Sequence, residues 1–219
     1  MKRFLKLTED GSHTLYLPEM DEHFHSIHGA IQESMHVFIA NGLNRCTKTE
    51  INILEIGFGT GLNTLLSLLN RQEKTIHYYS LEKYPLTEAE YSQLNYAQNY
   101  DTETQSLFLN LHHSEWGKPV QIAPGFELTK LQADLCSVDL AQFPFFDLVY
   151  FDAFAPDKQP ELWTDAIFSK ISAQCQPGAI LTTYCAKGVI RRSLQQNGFL
   201  MHRLPGPPGK RQMLMGEKA

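Results

Sequence analysis

The stretch ILEIGFGTGLN, residues 53–63, constrains this chain more than any other. An apolar, β-branched run ends in glycines at positions 57, 59 and 61, and the helix-spaced run LNTLLSLLNRQ follows at once. A strand, a turn of bare backbone and a helix open a βαβ unit. Gly57, Gly59 and Gly61 let main chain pass against a ligand with no Cβ in the way, and take positive φ where the turn needs it. Strand-like runs recur at 76–84, 125–134, 145–154 and 178–186, separated by TEAEYSQLNYAQNY, ELWTDAIFSKISAQ and GVIRRSLQQNGF, whose apolar residues are spaced as in helices. FLMHRLPG and KRQMLMGEK add a late pair of strands, an edge hairpin. That alternation predicts an α/β fold, a doubly wound and mostly parallel sheet with helices on both faces.

Length then fixes the number of domains. A chain of 219 residues, 42% of them hydrophobic, buries one sizeable core and is short for two. One domain is therefore expected over 51–219, with residues 1–50 an extension packed on it and about 86–124 a helical insertion. No apolar run approaches the ~18 residues of a membrane span, and MKRFLKLTEDGSH has no long apolar segment after its basic residues. A cytoplasmic protein with no membrane partner is the expectation. Cys46, Cys136, Cys175 and Cys185 lie far apart with no CxxC pair, as free thiols do.

The glycine spacing bears on the ligand. Open α/β sheets bind ligands beyond the carboxyl ends of their strands, where the first strand-to-helix turn comes closest. A dinucleotide fingerprint reads G-x-G-x-x-G and seats a pyrophosphate on the helix N-terminus. Here the order is G-F-G-T-G, with Glu55 inside the strand tip. An acid there opposes a pyrophosphate and suits a cation, which favours S-adenosylmethionine over a nicotinamide cofactor. Glu82, ending the second strand, is placed to accept both ribose hydroxyls of an adenosine, and Asp134, ending the third, to accept from the adenine amino group. Acids at strand ends are also common helix caps.

The fourth strand brings chemistry. FFDLVYFDAFAPDKQPELW sets Asp152 at the tip of an apolar run, with Phe154 and Pro156 stiffening the turn. Methyl transfer to an amine needs an uncharged nitrogen lone pair in line with the donor methyl, and a primary amine is largely protonated at neutral pH. Asp152 either accepts that proton or holds the amine in the attack direction. The plainer alternative is an Asp that caps the turn.

Charge is unevenly spread. From Ala166 to Gly216 there is no Asp or Glu, while Lys170, Lys187, Arg191, Arg192, Arg203, Lys210 and Arg211 give +7; with a total of −5, the remainder carries −12. An acidic body with a basic C-terminal quarter suits one positive face turned to a polyanion, the alternative being a merely solvated set of cations. His23, His25, His28 and His36 crowd the N-terminal segment, but no cysteine or carboxylate stands at ligand spacing and no metal is expected.

The segments HGAIQESMHVFI, LEIGFGTGLN, SLEKYPLT, YFDAFAPDKQPELW and GKRQMLMG resemble the methyltransferase domain of the MnmC family of bifunctional tRNA-modifying enzymes and its stand-alone relatives. The likeness runs from about Tyr16 to Gly216, and D-x-F-A-P-x-K-x-P-x-x-W carries most of its specificity. It implies a class I S-adenosylmethionine-dependent, Rossmann-like methyltransferase with a seven-strand sheet. It further implies methylation of the aminomethyl nitrogen of a wobble 5-aminomethyl-2-thiouridine in tRNA. By resemblance Glu55, Gly57, Gly59, Gly61, Glu82 and Asp134 line the cofactor, Glu33 serves its methionine end, and Asp152 stands between methyl donor and amine. Phe154, Lys187, Arg191, Arg192, Lys210 and Arg211 are the residues expected to meet the tRNA anticodon arm. Bifunctional members carry an FAD-dependent oxidase after this domain; no FAD is expected in a chain of this length. Gln212 departs from the Glu that commonly follows Lys-Arg in the family. The rival functions are a small-molecule amine methyltransferase, an aminopropyltransferase and a non-catalytic interaction module.

Overall fold

The computed structural model describes residues 2–219. The chain begins with a small antiparallel sheet of β1 (Phe4–Leu7), β2 (His13–Leu17) and β3 (Glu22–His23), followed by α1 (Ala30–Ser34), which runs on as π-helix through Met35–Ala40. The alternating part comprises β4 (Glu50–Ile56), α2 (Leu62–Leu69), β5 (Thr75–Glu82), α3 (Glu88–Tyr91), α4 (Thr102–His113), β6 (Val120–Ala123) and β7 (Phe126–Gln132). It continues with β8 (Phe146–Phe151), α5 (Asp165–Ala173), β9 (Cys175–Thr183), α6 (Gly188–Gln196), β10 (Phe199–Pro205) and β11 (Gln212–Lys218).

The main sheet has eight strands in the order β10-β11-β9-β8-β4-β5-β7-β6, one more than the seven expected. The extra strand is β6, antiparallel to β7 at the far edge. It lies inside the 86–124 insertion, which is thus helix and strand, and a four-residue VQIA run is too short to announce itself by alternation. Strands β4, β5, β7, β8 and β9 run parallel, and β10 and β11 close the other edge as an antiparallel hairpin.

Strands covered on both faces are continuous apolar runs, and every residue of β8, FDLVYF, is buried. The two-residue period then deals side chains to two layers. Ile53, Tyr78 and Tyr150 pack with α2 and with Val37, Phe38 and Ile39 of the N-terminal segment. Leu54, Ile56 and Phe151 pack on the other face with Trp163 and Phe168, and with Ile190 and Leu194 of α6. Residues 30–46 are therefore part of the main core. Arg3 ties the first strand to the insertion, its Nη1 3.1 Å from a Glu90 oxygen in a pair that is largely buried.

The sheet's topology positions the site. From β4 the chain winds through β5 to β7 on one side, then returns to lay β8 on the other side of β4. The tips of β4 and β8 thus flank the switch point, where neighbouring connections leave in opposite directions and open a crevice.

Candidate active site

At that switch point lies a cavity of about 520 Å³. Gly57, Phe58, Gly59 and Thr60 after β4, Glu82 to Tyr84 after β5, Ala133 to Leu135 after β7 and Asp152 to Ala155 after β8 line it, and the N-terminal segment from Glu22 to His28 with Glu33 forms the opposite wall.

The two central tips touch. Gly57 has φ +93, and a Cβ on it would come 3.0 Å from the Asp152 carbonyl oxygen. Its N–H donates to the Leu81 carbonyl at 2.9 Å. Gly59, at φ +51, turns its N–H to the Glu82 Oε2 at 2.9 Å, and the Tyr84 N–H donates to Oε1 at 2.7 Å. Glu82 is thereby fixed by main chain alone, leaving carboxylate lone pairs toward the cavity. Asp134 also faces it, with Oδ2 2.8 Å from the Lys83 ammonium and Oδ1 accepting from the Cys136 N–H at 2.9 Å. The Lys83 hydrogen bond, then that of Cys136, holds its carboxyl below the usual range.

Asp152 accepts from the Asn63 Nδ2 at 2.8 Å. Burial pushes its pKa up to about 7, the negative charge of Glu33 adds to the rise, and the Asn63 bond and Lys210 oppose it. A carboxylate poised near neutrality in a cleft is what proton transfer from an amine requires.

Two residues expected at the cofactor do not open on the cavity. Glu55 is wholly buried beneath the glycine turn, where Ser80 Oγ donates to its Oε2 at 2.6 Å and Thr64 Oγ1 at 3.1 Å. Burial raises its pKa to about 8, so it is mainly neutral at pH 7, and its Oε1 has no partner among the described residues. The acid inside the strand tip, expected to oppose a pyrophosphate, lies in the core rather than on the cavity, where burial favours its neutral form. Gly61, at φ +73, starts α2 and packs instead on Phe58 and on His112, whose Nε2 lies 3.1 Å from the Thr60 carbonyl oxygen.

Of the residues expected on the acceptor side, Phe154 and Lys210 line the cavity, whereas Lys187, Arg191, Arg192 and Arg211 do not. Phe154 meets Phe24 edge to face at 5.3 Å between centroids. Lys187, beside the start of α6, pairs with Asp157 at 2.6 Å, and Arg191 bonds Gln195. Arg192, Arg203 and Arg211 are exposed, and the first two converge near Gly188. Glu33 is engaged on both oxygens, by the Ser26 N–H at 2.8 Å and the Lys210 ammonium at 2.6 Å. Sequence reasoning missed Asn63, Tyr184 and Phe24 as cavity residues; each sits in an ordinary core pattern, and only long-range packing turns it to the cleft. Of His23, His25, His28 and His36, His25 is buried against Thr60 Oγ1 at 2.8 Å, with burial lowering its pKa to about 4. Among the described residues no group of three or more His, Cys, Asp or Glu could hold a metal ion.

A mostly parallel sheet thus brings a glycine turn, a carboxylate at the tip of the next strand and an acid at the β8 tip into one cavity at its switch point, the arrangement of an α/β protein that binds a small ligand there. The S-adenosyl-L-methionine-dependent methyltransferase family matches residues 71–219, and the chain belongs to that family. Among individual proteins it is similar to the "tRNA 5-methylaminomethyl-2-thiouridine biosynthesis bifunctional protein MnmC" of Cupriavidus metallidurans, 31% identical over 97% of this chain and 33% of that protein. The same-named protein of Burkholderia multivorans is 30% identical over 98% of this chain and 35% of its own length. The chain thus spans about a third of the curated relatives it matches. The crystal structure of MNMC2 from Aquifex aeolicus superimposes with a TM-score of 0.80 at 26% identity, covering 98% of this chain and 69% of that one. Among the described residues no helix is long and apolar enough to cross a membrane.

Proposed function

We propose that the chain transfers a methyl group from S-adenosyl-L-methionine to the primary amine of wobble 5-aminomethyl-2-thiouridine in tRNA, giving the 5-methylaminomethyl nucleoside. The observation that carries this reading is Asp152, poised near neutral pH in the same cavity as the glycine turn. The likeness of nearly the whole chain to tRNA-modifying relatives supplies the substrate class.

The residues present suit the cofactor. Gly57 and Gly59 offer bare main chain, Glu82 keeps lone pairs for a vicinal diol, and Asp134 stands beside apolar Leu81, Leu135 and Leu162, where an adenine ring is shielded from water. When bound, S-adenosyl-L-methionine supplies an electrophilic methyl on a sulfonium. Asp152, ionised, takes a proton from the acceptor ammonium and keeps the freed amine hydrogen-bonded, aimed along one line. Asn63 holds the Asp152 carboxylate in place through its Oδ2. Phe24 and Phe154 offer crossed aromatic faces against which a base taken out of its stack can lie. Arg192, Arg203 and Arg211, with Lys187 and Arg191 beside them, would meet the phosphates of the anticodon arm. Neither FAD nor a metal has a part in this step, and the cytoplasm is where tRNA is met.

The test incubates the protein with radiolabelled S-adenosyl-L-methionine and tRNA from cells blocked at the aminomethyl stage, then digests the tRNA and identifies the labelled nucleoside. Label in 5-methylaminomethyl-2-thiouridine is expected. Label found only in small amines would overturn the tRNA assignment in favour of a small-molecule methyltransferase.

A further inference from the structure

Glu33 and Lys210 stand 177 positions apart in the chain and meet inside the cavity. Their ion pair is short, 2.6 Å, and the Glu33 side chain is only 7% exposed. Neither partner is free to swing away. Glu33 is anchored by the Ser26 N–H, and the Lys210 ammonium lies 3.8 Å from the centroid of the Tyr184 ring. The Tyr184 hydroxyl in turn donates at 2.9 Å to the carbonyl of Ala153, the neighbour of Asp152. The loop bearing Lys210 is pinned as well, since the His36 Nε2 lies 2.8 Å from the Pro205 carbonyl oxygen and Gly209 packs closely on His28. Two unlike charges are thus fixed in the same cavity that Asp152 lines, and Tyr184 ties their end of it to the residue next to Asp152.

We propose that Glu33 and Lys210 are opposed positioning residues for Asp152, Glu33 resisting its ionisation and Lys210 favouring it, so that their balance sets the pH at which the acceptor amine is deprotonated. The inference rests on the reading of Asp152 as the group that accepts the amine's proton. The pair touches neither reacting atom; it acts through the charge on Asp152.

The surroundings of Asp152 leave these two as its charged neighbours. Asn63 on α2 is neutral and donates to it. Glu55 on β4 is buried and mainly protonated at neutral pH. Tyr184, following β9, has its hydroxyl pushed well above the usual range by burial and stays uncharged. His25, in the N-terminal wall, is held neutral by burial. The directions match the geometry: after burial itself, Glu33 raises the Asp152 pKa, and after the Asn63 hydrogen bond, Lys210 lowers it. In a site shielded from water such charges act over several ångströms, and one unit of charge removed moves a carboxyl by roughly one pH unit.

The experiment titrates Asp152 directly, by carbon NMR of protein labelled at aspartate carboxyls, with the Asp152 signal assigned by its loss in Asp152→Asn. It is run on the full chain and on Glu33→Gln, Lys210→Met and the double variant, alongside the pH profile of single-turnover methyl transfer. Glu33→Gln is expected to move the midpoint of both curves roughly one unit down, Lys210→Met roughly one unit up, and the double variant back toward the parent. Shifts of the two single variants in the same direction, or none in either, would overturn the proposal. Circular dichroism and cofactor affinity report whether each variant folds. Should the parent protein methylate no tRNA, the tRNA reading fails by itself, and the carboxyl titration still decides the role of the pair.

Discussion

Asn63 donates its amide to Asp152 at 2.8 Å, joining the first turn of α2 to the tip of β8 across the switch point. Asn63 is buried and its own carbonyl oxygen has no partner among the described residues, so its one satisfied contact is the one that steers the carboxylate. Asp152→Asn is expected to lower kcat by about 10²- to 10⁴-fold with cofactor affinity nearly unchanged, because proton transfer and alignment are lost while the cofactor wall is not. Asn63→Ala should cost less, on the order of 10-fold, and act on kcat. Stopped-flow methyl transfer with calorimetric cofactor titration checks both.

Glu82 is a cofactor test of the opposite kind. Its oxygens are held by Gly59 and Tyr84 main chain, and it ends β5, on the other side of β4 from the strand that carries Asp152. Glu82→Ala should weaken S-adenosyl-L-methionine binding by about 10- to 100-fold, as expected for the loss of about 1.5–3 kcal/mol of charge-assisted hydrogen bonding. Calorimetry showing unaltered affinity would remove it from the ribose.

Gly57 cannot be replaced cheaply. At φ +93, and with the Asp152 carbonyl 3.0 Å from any added Cβ, Gly57→Ala must strain the turn and press on the β8 tip. A loss of about 1–3 kcal/mol in stability, with a larger loss of activity, is expected from denaturant unfolding and methyl-transfer assays.

The buried acids make stability fall as pH rises. Glu55 and Asp152 have folded-state pKa values raised to about 8 and about 7, so between their ordinary values and these the folded protein holds protons the unfolded chain has lost. His25 and His112, lowered to about 4 and about 3, act in the other direction, chiefly below pH 7, and Lys130, lowered to about 8 by burial, does so as pH nears 8, each by less than Glu55. From pH 6.5 to 8 the acids dominate, and roughly 1–2 kcal/mol should be lost to Glu55 alone, a few degrees of Tm in a chain of this size. Glu55→Gln, uncharged and of like shape, is expected to fold, keep activity and flatten that decline. Scanning calorimetry at pH 6.5 and 8 decides; an unchanged slope would mean that Glu55 is ionised in the folded protein.

Charge reversal at Arg192 and Arg203 should weaken tRNA binding and reduce the slope of log affinity against log salt by about one for each phosphate no longer neutralised. Filter binding across a salt series measures it, and an unaltered slope would place the tRNA elsewhere.

Much of this site was readable along the chain because its parts are local. Gly57 and Gly59 end an apolar strand, Glu82 and Asp134 end the next ones, and Asp152 closes FDLVYF, so each was placed by its own strand's pattern and all face one cavity. Glu55 lies off the cavity for a local reason too. Its strand is covered on both sides, so its side chain enters the core whichever way it alternates, and nearness to the glycines did not turn it to the cavity. The Glu33–Lys210 pair was invisible, since partners 177 residues apart leave no spacing signal. The small sheet at the start and β6 escaped because strands of two to five residues offer too few positions for a period to show.

The seam between Glu33 and Lys210 also bears on biosynthesis. The glycine turn and Asp152 have left the ribosome well before Lys210 emerges from the exit tunnel. A nascent chain can assemble its inner sheet early, yet its pocket lacks the wall that Lys210 supplies until the β10–β11 hairpin has come out and folded.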